Sequence, residues 1–231
     1  MTPEDLRSFE QDIAEAFNRG EIRSPVHLAS GNEEQLIRYF EEQYRPGDWV
    51  CSAWRSHYHA LLAGIPPAEV KAAILRGRSI TLTFPKYNFI TSAIVGGIIP
   101  IAVGLALGLK RSYQAKMQSA IIAEMDLGGM RYDDNSIGRI ETAIEDVIEK
   151  PIPRVHCFVG DMTARTGAYH EAYEYTKGHS LPLNFVIEDN GKSVGTPTTE
   201  VWGAGTDAPY EERHVHELTY PHAGSGTWIR F

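Results

Sequence analysis

The sequence has 231 residues, of which 42% are hydrophobic and 23% charged, as in an ordinary globular domain with its own core. Its formal net charge is −8, which disfavours binding to the phosphate backbone of nucleic acids. We therefore expect a single cytoplasmic domain over residues 1–231, with no nucleic-acid partner.

The N-terminal half alternates helical and strand patterns. Thr2 is a good N-cap and Pro3 suits the first helical position, so residues 2–18 predict a helix, and its acidic amphipathic character is unlike a signal peptide. Further helices are predicted at residues 32–44, 56–63 and 68–75, and strands at 49–53 and 80–84.

One uncharged stretch, residues 87–109, is long enough on paper to span a bilayer. Four glycines and Pro100 interrupt its apolar character, which disfavours a membrane span. A helix buried on all sides is expected instead over residues 98–109, preceded by a loop.

Two compact apolar runs with β-branched residues, 154–159 and 183–187, are typical of buried parallel strands. Residues 167–178 between them have helical spacing. This order predicts a right-handed βαβ unit. The expected fold is α/β, with a mostly parallel sheet and helices on both faces.

Two regions fit this scheme less well. Residues 113–153 form an insertion longer than an ordinary connection, with a turn predicted at 128–135 and a helix at 137–149. Residues 198–214 are rich in glycine, proline and charge, so we expect a loop there, followed by a last strand at 214–220.

Polar residues follow both strands of the βαβ unit. Asp161 follows the first strand and Asn190 the second. Because ligands bind beyond the carboxyl ends of strands in an open parallel sheet, both side chains are expected at one edge. Their oxygens could share Mg²⁺ with a diphosphate, and the backbone of residues 160–164 could donate N–H groups to phosphate. Two unrelated strand-end turns are the alternative, since Gly-Asp and Asp-Asn-Gly are common in turns.

Several separated motifs occur in the order known from one enzyme family. Residues 160–164 (Gly-Asp-Met-Thr-Ala) and 188–192 (Glu-Asp-Asn-Gly-Lys) resemble the thiamine diphosphate motif, Gly-Asp-Gly followed by Asn-Asn. Upstream motifs of the same family are matched by residues 26–34, 54–57 (Trp-Arg-Ser-His) and 94–107. The chain thus resembles the α subunits of thiamine diphosphate-dependent 2-oxo-acid dehydrogenases, which implies their diphosphate-binding module.

The resemblance implies a cofactor site for thiamine diphosphate and Mg²⁺. The implied metal ligands are Asp161, Asn190 and the backbone carbonyl of Lys192. Arg55 would donate to the diphosphate, although a surface ion pair is the alternative for this arginine. The implied cofactor-binding residues are Trp54, Arg55, Val95, Gly160, Asp161, Met162, Thr163 and Asn190. Among them Val95 would hold the aminopyrimidine, and Met162 departs from the family by replacing a glycine.

Two histidines are candidate catalytic residues. His27 matches a family histidine near the reacting centre, and a histidine satisfied within the core is the alternative. Near the C-terminus, Ala223 and Ser225 replace two family histidines, which leaves His222 as the nearby imidazole. The pairs His57/His59 and His214/His216 have no third ligand in view, so a zinc site is disfavoured.

The family glutamate that activates the cofactor belongs to a pyrimidine-binding domain in a separate β subunit. The resemblance therefore implies an oxidoreductase component that needs a β-type partner, forms a heterotetramer, and decarboxylates a 2-oxo acid with acyl or aldehyde transfer. A transketolase-like carboligase component is one alternative. A non-catalytic scaffold that only holds the cofactor is another.

Overall fold

A parallel sheet lies at the centre of the fold in the computed structural model, which describes residues 1–127, 138, 140–142, 144–145, 151–203, 208–222 and 229–231. The strands in chain order are β1 (Trp49–Ser52), β2 (Thr83–Phe84), β3 (Phe89–Thr91), β4 (Val155–Gly160), β5 (Leu183–Asp189), β6 (Lys192–Ser193), β7 (Thr196–Pro197) and β8 (Glu212–Val215). Six of them form one sheet in the order β2-β3-β1-β4-β5-β8, and β6 pairs with β7 in a small hairpin.

All neighbours in the large sheet are parallel except β2 and β3. Successive residues of a strand point to opposite faces, and both faces are buried here. On β4, Phe158 belongs to one hydrophobic cluster, whereas Cys157 and Val159 belong to another on the other face. The predicted α/β fold, with helices on both faces of a mostly parallel sheet, is confirmed.

The helices in chain order are α1 (Pro3–Asn18), α2 (Glu33–Gln43), α3 (His57–Leu62), α4 (Pro67–Ala73), α5 (Ile98–Leu127), α6 (Asp161–Ala164), α7 (Gly167–Gly178) and α8 (Thr198–Trp202). Helix α1 begins where the sequence predicts. The Asp5 backbone N–H donates to Thr2 Oγ1 at 3.2 Å, and the Thr2 N–H donates to the Asp5 carboxylate at 2.7 Å. This reciprocal cap satisfies two N–H groups that have no partner inside the helix.

Helix α5 is longer than predicted. It runs to Leu127 rather than ending at Leu109, so the first part of segment 113–153 continues this helix. Its first half packs on the sheet, where Ile98, Ala102 and Ala106 are buried. The predicted turn at 128–135, and most of the predicted helix at 137–149, lie outside the described residues. No helix in the described part of the chain is long and apolar enough to cross a membrane.

Three boundaries differ from the sequence predictions. Only Thr83–Phe84 of the predicted strand 80–84 is extended, because a π-type turn at Ile74–Arg78 and a 3-10 turn at Ser79–Thr81 precede it. The expected loop 198–214 contains helix α8 and most of β8. The last strand ends at Val215 instead of residue 220, because the chain beyond it leaves the sheet and packs against residues 27–31.

A buried hydrogen-bond network connects α1 to α3. The Glu10 carboxylate accepts from His57 Nδ1 at 2.8 Å and from the Ala29 N–H at 2.9 Å. His57 Nε2 lies 2.9 Å from Ser79 Oγ. All three side chains are fully buried, so the network joins α1, α3 and the turn before β2 within the core.

The two cysteines, Cys51 and Cys157, are buried free thiols. Cys51 on β1 lies opposite Cys157 on β4 in the parallel register. Burial raises the pKa of the Cys51 thiol to about 12, which leaves it protonated and unreactive.

Candidate active site

A cavity of about 640 Å³ opens at the carboxyl ends of the central strands. Its wall brings together segments that are far apart in the sequence, including nearly every predicted site residue. His27 lies just behind this wall, stacked on His222. The predicted residues that line the cavity are Trp54, Arg55, Val95, Gly160, Asp161, Met162, Thr163, Asn190, Lys192 and His222.

The candidate metal ligands follow two neighbouring strands. The register of β4 and β5 pairs Gly160 with Glu188, so Asp161 and Asn190 begin the adjacent strand-end turns. Asn190 Oδ1 accepts the Lys192 backbone N–H at 3.0 Å, which shapes the second turn. The Asp161 carboxylate is 7% exposed.

The electrostatics at Asp161 fit a bound cation. Burial raises the pKa of this carboxyl, the Thr198 hydroxyl lowers it through a hydrogen bond, and the neighbouring Asp189 carboxylate raises it further; the net shift is upward. The ionised carboxylate is therefore poorly stabilised by the protein alone. A divalent cation would favour the ionised form, and hard oxygen donors suit Mg²⁺.

Asp189 is not a candidate metal ligand, because both oxygens of its carboxylate already accept hydrogen bonds. One of its carboxylate oxygens accepts the Gly191 N–H at 2.9 Å, and the other accepts Arg213 Nε at 2.8 Å. The ion pair with Arg213 neutralises the Asp189 charge, and the hydrogen bond to Gly191 stabilises the turn that presents Asn190.

Met162 departs from the glycine of the thiamine diphosphate motif, and its side chain is turned aside. Its sulfur accepts the Trp202 indole N–H at 3.0 Å. The residue is part of α6, a single turn from Asp161 to Ala164, and α7 starts separately at Gly167. Helix α7 thus covers the predicted helix at residues 167–178, and α6 is a separate single turn that the sequence pattern did not indicate.

Two neutral imidazoles stack at the wall of the site, with His222 lining the cavity and His27 behind it. The rings of His27 and His222 stack with centroids 4.3 Å apart. Burial lowers the pKa of His27 to about 3, assisted by His222 and Arg55, and burial and Arg55 also lower the pKa of His222. Within the described part of the chain, Nδ1 of each ring is buried without a hydrogen-bond partner. Such atoms are available to a bound molecule.

Arg55 lies between the histidines and the carboxylates. Its Nε donates to the Leu28 carbonyl at 3.1 Å, which fixes the guanidinium at the cavity wall. Burial lowers its pKa, although the Glu188 and Glu10 carboxylates oppose this shift. Arg55 is half-buried at the cavity wall, a position that disfavours the surface ion pair considered as its alternative, and its role stays a prediction.

The closing segment, residues 217–222, forms one side of the cavity and runs antiparallel to residues 27–31. The Thr219 backbone N–H and hydroxyl both donate to Ser30 Oγ at 2.9 Å. At Gly31, where φ is +87°, a Cβ atom would lie 2.1 Å from the Glu217 carbonyl oxygen. Only glycine permits this approach. Ala223 and Ser225, directly beyond this segment, lie outside the described residues.

Glu188 is a cavity residue that the sequence analysis did not single out. Its carboxylate accepts Asn32 Nδ2 at 2.7 Å and lies 3.3 Å from His59 Nε2. Burial alone would raise the pKa of Glu188, but His59, His216 and His214 together lower it to about 2. A signal was available, because Glu188 belongs to the same motif, residues 188–192, as Asn190. Thr198 and Trp202 were missed because a loop was expected there.

The cavity mouth exposes apolar side chains. Val95 and Val194 line it and are 57% and 56% exposed, and Ile94 beside them is 74% exposed. These exposed apolar side chains, the apolar rim of the cavity, are typical of a surface that another chain covers.

We expect the buried imidazole of His27 to make the protein less stable in mild acid. The unfolded chain binds a proton near pH 6.5, whereas the folded state does so only near pH 3, so the stability conferred by neutral His27 is lost as the pH falls below 6.5. His27→Gln should remove up to about 1.4 kcal/mol per pH unit of this dependence. Urea unfolding at several pH values between neutral and mildly acidic measures the slope.

His170→Gln provides the matched control, because His170 is exposed on α7. The control should keep the slope of the unmodified protein. An unchanged slope in His27→Gln would show that the acid sensitivity arises elsewhere.

Residues 2–208 match the model of a protein family described as "Dehydrogenase E1 component". The chain is 27% identical over 201 residues to the pyruvate dehydrogenase E1 component subunit alpha of Porphyra purpurea, covering 82% of this chain and 49% of that protein. The protein of the same name from Rickettsia typhi is 26% identical over 201 residues, covering 83% and 50%. The alpha-3 chloroplastic subunit of Arabidopsis thaliana is 25% identical over 215 residues, covering 86% and 43%.

These matches confirm the family resemblance that the sequence motifs indicated. The alignments cover most of this chain, but the chain spans half or less of the length of these curated relatives.

Proposed function

Because the chain belongs to the dehydrogenase E1 component family, we propose that it is the α-type component of a two-chain enzyme that acts on a 2-oxo acid with thiamine diphosphate and Mg²⁺. The observation that carries this proposal is the buried Asp161 carboxylate beside Asn190, at the edge of the sheet where the family motif binds its metal. Residues 1–231 would then be one diphosphate-binding domain with an insertion near 113–153.

Different residues around the cavity would contact the metal, the diphosphate and the aminopyrimidine of the cofactor. Asp161, Asn190 and the Lys192 carbonyl would bind Mg²⁺, and the metal would bind the diphosphate. Arg55 and the Trp54 indole would donate to the diphosphate, with Gly160, Met162 and Thr163 forming the turn beside it. The backbone of Val95 would hold the aminopyrimidine at the cavity mouth. When bound, thiamine diphosphate supplies the nucleophilic carbon of the reaction.

His27 and His222, which lie near Trp54 and Arg55, would accept or donate protons during the reaction. Both imidazoles are neutral at physiological pH, and each has a buried nitrogen without a partner among the described residues. A neutral imidazole can accept a proton from a reacting group or orient it by a hydrogen bond. The Arg55 charge opposes their protonation, so the substrate carboxylate would meet neutral histidines and one fixed cation.

A β-type subunit would complete the active site. The apolar rim formed by Ile94, Val95 and Val194 supports a protein partner at the cavity mouth. In this arrangement the partner supplies the pyrimidine-binding domain and its glutamate, and two such pairs would assemble with closed two-fold symmetry as a heterotetramer.

A cofactor-holding scaffold is the second candidate function. It is favoured by Ala223 and Ser225, which stand where the family has two histidines. Neither side chain can deliver a proton as an imidazole does, and losing a positioned acid costs about a hundredfold or more in rate. His222, in the adjacent position, favours the enzyme. A carboligase that passes an aldehyde to an acceptor would need the lost histidines less than a lipoyl-transferring enzyme.

The decisive experiment reconstitutes the full chain with a β-type subunit from the same organism. We expect the pair, given thiamine diphosphate and Mg²⁺, to release CO₂ from a 2-oxo acid, and each subunit alone to be inactive. An aldehyde acceptor and a lipoyl domain, offered in separate reactions, distinguish the two transfer activities. Tight cofactor binding without CO₂ release from any 2-oxo acid would establish the scaffold instead, and activity of the single chain would contradict the two-chain proposal.

A further inference from the structure

Helix α8 contacts the candidate metal site through both of its ends. Thr198 and Trp202 are separated by one helical turn, so their side chains leave α8 on the same side. They contact two consecutive residues of α6, Asp161 and Met162. The start of α8 is tied to the second strand-end turn as well, since the Thr198 N–H donates to the Gly191 carbonyl at 2.9 Å.

Thr198 controls the orientation of the Asp161 carboxylate. Its hydroxyl is buried, with the residue 4% exposed, and donates to Asp161 Oδ2. A hydroxyl has one proton to donate, so Thr198 engages one carboxylate oxygen, Oδ2, and does not occupy Oδ1.

A second cavity lies directly behind the Asp161 carboxylate. It has a volume of about 200 Å³, and its wall contains Asp161, Thr198, Arg165 and Arg213. Without the Thr198 hydrogen bond, the Asp161 side chain would have the space to turn away from the main cavity.

Trp202 holds the side chain of Met162, the residue that follows Asp161. Met162 is unbranched and flexible, and it stands where the family has a glycine beside the diphosphate. The indole N–H holds its sulfur at 3.0 Å and draws the side chain toward α8. If this contact is removed, the methionine is free to extend into the main cavity, whose wall it already forms.

We infer that α8 is a positioning element: Thr198 fixes Asp161 for the metal, and Trp202 keeps Met162 out of the space needed by the diphosphate. This inference rests on the proposed function, because it assigns the metal and diphosphate to the same cavity. It also accounts for the methionine in the motif, since Trp202 supplies the restraint that a glycine does not need.

Thr198→Val tests the first contact, since valine has the same shape but no hydroxyl. Calorimetric titration of the full chain, with its β-type partner, by thiamine diphosphate plus Mg²⁺ should show affinity reduced at least about tenfold, in the range of ligand-orienting residues. Electron paramagnetic resonance of Mn²⁺ should show the same loss without any turnover. Thr198→Ser keeps a hydroxyl and should recover most of the affinity. Equal Mn²⁺ affinity in Thr198→Val and the unmodified protein would overturn the assignment.

Trp202→Ala tests the second contact, and a second substitution makes that test specific. Thiamine diphosphate affinity should fall at least about fivefold in Trp202→Ala and recover when Met162→Gly is added, because the obstructing side chain is then gone. Val201→Ala is the matched control, since Val201 lies on the same helix and is 54% exposed. A double variant as weak as Trp202→Ala would show that Met162 is not the cause.

Further measurements distinguish a variant that does not fold from one that folds and binds weakly, and a failure of the proposed function from a failure of this inference. Far-UV circular dichroism and urea unfolding identify any variant that no longer folds, and the serine and glycine variants keep the inference testable in that event. If the unmodified complex does not bind thiamine diphosphate with Mg²⁺, the proposed function fails. If it binds and the α8 variants bind equally well, only this inference fails.

Discussion

Replacing Asp161 by alanine is expected to abolish Mg²⁺-dependent binding of thiamine diphosphate while the protein remains folded. The carboxylate would supply the one negative charge among the proposed ligands, and loss of a direct ligand should exceed the ten- to hundredfold effects typical of residues that only orient ligands. The fold should tolerate the change, because burial already raises the pKa of this carboxyl and disfavours its charged form. Calorimetry with and without Mg²⁺ measures the effect.

Asp161→Asn refines this experiment, because the amide retains the shape and the hydrogen bond to Thr198 but not the charge. Its affinity should lie between those of the unmodified protein and Asp161→Ala. Glu200→Ala removes an exposed carboxylate from α8 and should leave binding unchanged. If Asp161→Ala binds the cofactor as tightly as the unmodified protein, the metal is held elsewhere.

Replacing Glu10 by alanine should lower the free energy of unfolding by about 3–5 kcal/mol. The substitution leaves His57 Nδ1 and the Ala29 N–H buried without their acceptor, and it opens a void beneath α1. Each buried polar group that loses its partner costs about 1–3 kcal/mol, which accounts for most of the expected change. Urea denaturation followed by circular dichroism at neutral pH measures it.

Glu4→Ala is the control for Glu10→Ala on the same helix. The Glu4 carboxylate is 77% exposed and pairs with Arg7 at 3.3 Å, so its removal should change stability by about 0.5 kcal/mol or less. A loss below about 1 kcal/mol in Glu10→Ala would mean that water replaces the missing acceptor inside the core.

Local signals predicted most of the fold. The Thr2–Pro3 start gave the first residue of α1, and the apolar runs gave β4 and β5 to within two residues. The predictions were wrong where tertiary contacts decide the conformation. Helix α8 lies in a stretch of turn-forming composition and is held by contacts to α6, so no local pattern indicated it.

The candidate site was likewise predicted only where local sequence signals determine the position of a residue. Asp161 and Asn190 were predicted because parallel strands deliver their carboxyl ends to one edge, and the structure brings both to the cavity. The roles assigned to them stay predictions. Thr198 and Trp202 could not be found from sequence, since their function depends on the orientation of α8 over α6. The stacking of His222 on His27 likewise required the path of the closing segment.

The closing segment is synthesised late, although the residues that it contacts are synthesised early. Its contacts join residues 27–31 to residues 217–222, and Phe231 packs on Phe17 and hydrogen-bonds Asn18. Such long-range contacts form late, because closing a long loop costs entropy before any contact compensates for it. On the ribosome, strands β4 and β5 and the turns after them can therefore form before this wall exists. The main cavity should gain this wall only after residues 217–222 have been synthesised.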